Sequence, residues 1–140
     1  MVQPRRPPMA EVLCILTAGQ VLTLAVGAFS LSWTHTVERT QWLEHWRVQP
    51  NGLQVTEAII EGSGAGMEPP PGAVRLEDGW HYRPDVAPMK EVVLASSGAG
   101  NSAWTLCGGG DCFSLGAQPG QPIKLWSAGD SAICEPAPHW

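Results

Sequence analysis

Two neighbouring stretches of strict alternation constrain the fold most. Phe29–Val37 reads F-S-L-S-W-T-H-T-V, with Phe29, Leu31, Trp33, His35 and Val37 on one side. Trp42–Val48 reads W-L-E-H-W-R-V, with Trp42, Glu44, Trp46 and Val48 on one side. A period of two marks a strand with one buried face. Trp42, Leu43 and Trp46 would also be neighbours on a helix. The preceding strand and the following Asn51-Gly52, a strong hairpin signal, decide for a strand. Leu53–Ile60 then reads as a third strand. Further candidates are Trp80–Arg83, Glu91–Ala95, Ala103–Cys107, Cys112–Leu115 and Ile123–Trp126, parted by GAGN, GGGD and QPGQP. The 140 residues include 16 glycines and 13 prolines, well above the usual combined share of about 12%. Long helices are thereby disfavoured. The expectation is an all-β domain, an antiparallel sandwich or partly open barrel of about eight short strands.

The N-terminus reads differently. Residues 1–11, MVQPRRPPMAE, carry Arg5 and Arg6, and Val12–Phe29 is an uncharged apolar run. A positive start before such a run predicts one N-terminal hydrophobic helix that enters the membrane, with the remainder outside. Two versions stand side by side. Ala25 and Gly27 provide the small residues of a signal-peptide cleavage site before Ala28, and residues 12–28 are close to the roughly 20 a membrane anchor needs. Residues 1–27 are thus a signal peptide or an anchor, 28–134 the β domain, and 135–140 a tail. The expected location is periplasmic or extracytoplasmic, with inner-membrane attachment if the segment is retained. From Ala28 onward 12 acidic residues face 6 basic ones, which leaves no basic footprint for nucleic acid.

Export permits disulfides. In Trp104–Leu115, WTLC-GGGD-CFSL, four turn residues separate two apolar runs. A hairpin there sets Cys107 opposite Cys112, within reach of a bridge. Their spacing, with no second pair following, does not suit a metal. Cys134 is left either free or in competition for one of the two.

A tight turn at Arg39-Thr40 would pair Val37 with Trp42, His35 with Glu44, Trp33 with Trp46 and Leu31 with Val48. A turn at Asn51-Gly52 would pair Trp46 with Glu57 and Glu44 with Ile59. His35, Glu44 and Glu57 would then gather among Trp33, Trp42 and Trp46. Such a trio can be a buried structural pair that fixes register, a ligand or metal site, or an acid–base group. The spacing demands no metal, and no nucleophile with an adjacent base is identifiable. Gly62, Gly64 and Gly66, ahead of Met67, form a loop of either conformational or anion-binding purpose. It lacks the lysine and helix of a phosphate-binding loop.

These residues resemble a known family. Trp33-Thr34-His35-Thr36-Val37-Glu38, then Glu44-His45-Trp46, Glu57 and Gly64-Ala65-Gly66-Met67 are similar to the pattern of the domain-of-unknown-function family 1850. Thr36 stands where the family usually has serine. The likeness covers about Ser32–Trp80. It implies a small exported protein, often encoded beside TAXI-type TRAP transporters, and it implies no activity and no cofactor. The resulting expectation is a non-enzymatic accessory to such a tripartite transporter, contacting its membrane subunit or its solute-binding protein. The alternatives are a small-ligand or metal-binding periplasmic module using His35, Glu38, Glu44, Glu57 and the glycine loop, and an envelope hydrolase or isomerase using His35 and Glu38.

Overall fold

The computed structural model describes residues 11–35, 40–61, 71–96, 103–131 and 133–134. Glu38, Gly62, Gly64, Gly66, Met67 and the 135–140 tail lie outside them, and His35 is described only in its backbone. In chain order the strands are β1 (Leu13–Thr17), β2 (Gln20–Leu24), β3 (Ala28–His35), β4 (Thr40–Gln49), β5 (Gly52–Ile60) and β6 (Val74–Leu76). They continue with β7 (Gly79–Tyr82), β8 (Val92–Leu94), β9 (Trp104–Gly108), β10 (Asp111–Leu115) and β11 (Ile123–Ser127). A single 3₁₀ turn follows at Gly129–Ser131, and no α-helix occurs among the described residues.

The strands form two antiparallel sheets, β2-β1-β11-β8 and β10-β9-β3-β4-β5-β7-β6. The fold is a sandwich and not a closed barrel. Alternation decides which side chains meet between the layers. Leu13, Ile15, Leu94, Ile123 and Leu125 come from the small sheet, and Phe29, Leu31, Trp46, Val48, Leu53, Val55 and Leu106 from the large one. The eight strand candidates read from the sequence all form.

The N-terminal helix does not form. Residues 13–24 are a β-hairpin, Leu13 pairing with Leu24 and Thr17 with Gln20. Its two-residue turn has Ala18 and Gly19 at φ 51° and 76°, the mirror-image turn that suits the twist of paired strands. β1 lies inside the small sheet, between β2 and β11. Leu13, Cys14 and Ile15 are buried whichever face they take. A strand covered on both faces is a continuous apolar run, and periodicity does not separate it from an inserted helix. No helix among the described residues is long and apolar enough to cross a membrane.

Two disulfides fasten the sandwich. Cys107–Cys112 closes the β9–β10 hairpin as read from the sequence, with Cα atoms 4.1 Å apart. Cys134 is neither free nor a competitor: it bonds Cys14, 120 residues away.

Candidate functional site

The family-like residues Trp33, Glu44 and Trp46 lie on β3 and β4, adjacent in the large sheet. Register sets their neighbours. His35 pairs with Thr40, Trp33 with Trp42, Leu31 with Glu44 and Phe29 with Trp46. The expected His35–Glu44 pairing is therefore corrected. The two positions share a face but stand four residues apart along the sheet, roughly 13 Å at the strand rise. Sliding one strand by an even number of residues leaves every side chain on its original face, so alternation cannot tell the two registers apart. Aromatic contact distinguishes them. Trp33 stacks on Trp42 at 5.7 Å and Phe29 on Trp46 at 6.0 Å, contacts of the kind that stabilise cross-strand pairs.

The second expected pairing is also corrected. Pro50-Asn51 occupies the β4–β5 turn, Gln49 pairs with Gly52, and the register slips by one beyond Trp46–Val55. Thr56 is the extra residue of a β-bulge, its hydroxyl donating to the His45 carbonyl at 3.1 Å. One inserted residue reverses the facing of all that follows. Glu44 thus pairs with Ala58, and Glu57 with His45 on the other face. Gly52 sits at φ 146°, where a Cβ would come within 2.6 Å of the Met89 carbonyl oxygen. That strand end is closed to any larger residue.

The inner face carries Glu44 where the core gives out. Its row runs Leu31, Glu44, Ala58, Tyr82, and the next runs Trp33, Trp42, Ile60, Trp80, Arg75. Trp104 leans on Trp33 at 4.8 Å, and the Arg75 guanidinium lies 5.7 Å from the Trp80 ring centre. The Trp46 indole N–H donates to Glu44 Oε1 at 3.2 Å. Burial raises the Glu44 carboxyl above its ordinary pKa, and the indole hydrogen bond offsets part of the rise. Burial also raises the Tyr82 hydroxyl, with the negative charge of Glu44 adding to it. The indole nitrogen of Trp42 is buried without a hydrogen-bond partner.

The outer face carries a second polar group, built on a histidine that the sequence reading passed over. His81 Nε2 bonds Asp78 Oδ1 at 2.5 Å, and His81 Nδ1 lies 3.5 Å from Glu57 Oε1. Its side chain is 15% exposed, against 40% for Glu57 and 63% for Asp78. Asp78 raises the His81 pKa most, against burial, and Glu57 adds to the rise; His81 in turn lowers that of Asp78. Glu57 and His81 line a cleft of about 450 Å³ with Pro71, Gly72, Val74, Tyr82 and Arg83. The local signal was Asp78-Gly79-Trp80-His81, a turn running into a strand, with the carboxylate three residues before the imidazole.

The trio expected from the sequence is thus divided. Glu44 is on the inner face, and Glu57 is on the outer face with His81 in place of His35. Among the described residues no three His, Cys, Asp or Glu side chains converge as a metal-binding group.

No curated protein and no solved structure matches the chain. The family model described as "Domain of unknown function (DUF1850)" matches residues 29–115. The matched span runs from β3 through β10 and so takes in the cysteine hairpin as well as both polar groups. Covering more than half of the chain, it shows that the protein belongs to the DUF1850 family.

Proposed function

We propose that this protein is a non-enzymatic, extracytoplasmic binding module that serves as an accessory to a TAXI-type TRAP transporter. It engages a positively charged group of its ligand at the Trp33–Trp42–Trp80 end of the inner face. The transporter part of this reading rests on the family resemblance. The binding part rests on one observation: Glu44 is held partly away from water, with an indole N–H as its hydrogen-bond donor and no cationic side chain paired to it among the described residues. Such a carboxylate is raised in energy until a cation neutralises it. Indole faces beside it favour an ammonium or guanidinium over a neutral group.

Thermal melting of the full chain with tetramethylammonium, methylguanidinium and acetate tests the site. The two cations should raise Tm in the wild type and lose that effect in Glu44→Gln, while acetate has none. Equal shifts in wild type and variant would sink the reading. Co-purification from membranes with the transporter's membrane subunit or solute-binding protein tests the accessory role separately.

A further inference from the structure

The two disulfides differ in every respect that governs reactivity. We infer that Cys107–Cys112 is a thiol–disulfide exchange site whose substrate is a dithiol, with Cys112 as the sulfur attacked and Cys107 as the leaving group. The site is on the outer face of the large sheet, opposite to Glu44, and does not rest on the function proposed above.

Access is the first observation. Cys112 is exposed and Cys107 half-buried, whereas Cys14 is fully buried. Exposed bridges are the labile ones, because exchange needs a thiolate to reach a sulfur. Cys112 stands on β10, which ends the order of the large sheet, so an incoming chain meets it first. The second observation is independence from the bond. Five residue pairs join β9 to β10, and Leu106 and Leu115 anchor the hairpin in the core. The bridge closes a short loop, which contributes less to stability than a long one. Opened, its two sulfurs still face each other across the hairpin and can bond again. The third is an asymmetry between the two sulfurs. Register places Cys112, Cys107, Ser30 and His45 in one cross-strand row. Cys107 lines a cleft of about 330 Å³ with Ser30, His45, Arg47 and Thr56. A guanidinium near a sulfur favours its thiolate, and the sulfur that leaves more easily as thiolate is the better leaving group. Cys112 lacks that cleft and is next to Asp111.

The chemistry balances. A thiolate of the dithiol attacks Cys112 Sγ. A new S–S bond forms as the Cys107–Cys112 bond breaks, and the electron pair leaves on Cys107 Sγ, which takes a proton. The second thiolate of the dithiol then attacks the first, and Cys112 leaves and is protonated in turn. Two electrons pass to the protein, and the dithiol departs as a disulfide.

The test uses the oxidised full chain, equilibrated with dithiothreitol at graded ratios of its reduced and oxidised forms, then alkylated and peptide-mapped. Cys107 and Cys112 should become free at a ratio about tenfold or more below that needed for Cys14 and Cys134, with tryptophan fluorescence unchanged. A brief exposure to glutathione should leave the mixed disulfide on Cys112 and the free thiol on Cys107. Arg47→Gln should slow the attack several-fold, and Arg75→Gln should not. Faster reaction per thiolate with reduced thioredoxin than with dithiothreitol assigns the substrate to a protein dithiol, and the reverse to a small one. Two bridges that open together, or opening that unfolds the domain, overturn the inference. Glutathione found on Cys107, or equal rates for Arg47→Gln and wild type, overturn the roles given to the two sulfurs. The wild-type titration decides the matter even if a variant fails to fold.

Discussion

The disulfide between Cys14 and Cys134 should be the dominant covalent contribution to stability, and its size can be worked from loop length. The bridge spans a sequence separation of 120, that of the hairpin only 5. In the chain-entropy treatment, closing the long loop removes about 5 kcal/mol of unfolded-state freedom, and closing the short one about 2 kcal/mol. Cys14 is also fully buried, so its replacement by alanine adds a small packing loss. A domain of this size is stable by about 5–15 kcal/mol in total. The Cys14→Ala/Cys134→Ala variant should therefore sit near the edge of folding at 25 °C, whereas Cys107→Ala/Cys112→Ala should remain clearly folded. Guanidinium titration followed by tryptophan fluorescence measures both against the oxidised wild type. The reasoning fails if the hairpin variant loses as much stability as the long-loop variant.

Other outcomes follow from the same structure. The raised Glu44 pKa means that the folded state binds a proton more readily than the unfolded chain. Its stabilising contribution is present below the ordinary carboxyl range and is lost as pH rises through the folded value. Glu44→Gln should thus gain stability relative to wild type on going from pH 4 to pH 8 in urea titrations; a constant difference would count against it. A double-mutant cycle of His35→Ala and Glu44→Ala should show coupling below about 0.5 kcal/mol, as for separated sites. The cycle for Trp33→Ala and Trp42→Ala should give about 0.5–1.5 kcal/mol. Ala18→Gly should raise Tm, because alanine occupies a left-handed turn position that glycine adopts freely. A chain begun at Ala28 lacks Leu13 and Ile15 of the core and should show no cooperative melting transition in circular dichroism.

The strands of β3, β4 and β5 were legible because each alternates over a long enough run to fix its faces. The Cys107–Cys112 bridge was legible because four turn residues leave only one natural hairpin register. β1 was not, since the burial of Leu13, Cys14 and Ile15 removes the alternation that marks a strand. The β3–β4 register was not, because alternation has the same appearance after a slide of four residues. Its deciding contacts, Trp33 on Trp42 and Phe29 on Trp46, are visible only in three dimensions. Of the site, Glu44 and Glu57 stand out in the sequence as polar interruptions of strands, but their placement on opposite faces does not. Nothing about Thr56 as a residue announces a bulge, and that one insertion exchanges the companion of Glu57 from the inner face to His81.

The pairing of β1 with β11, together with the bridge between Cys14 and Cys134, joins the beginning of the described chain to its end. Contacts at such separation form late, because the whole intervening chain must be brought into a loop first. During synthesis the first hairpin therefore emerges long before its partner strand exists. β1 must wait with an unpaired edge and an apolar surface, the condition most open to wrong pairing. The thiol of Cys14 waits with it, and the first neighbouring thiols to appear are those of Cys107 and Cys112. The short hairpin that captures these two at once leaves Cys14 for Cys134, so the order of appearance along the chain itself favours the native set of bridges.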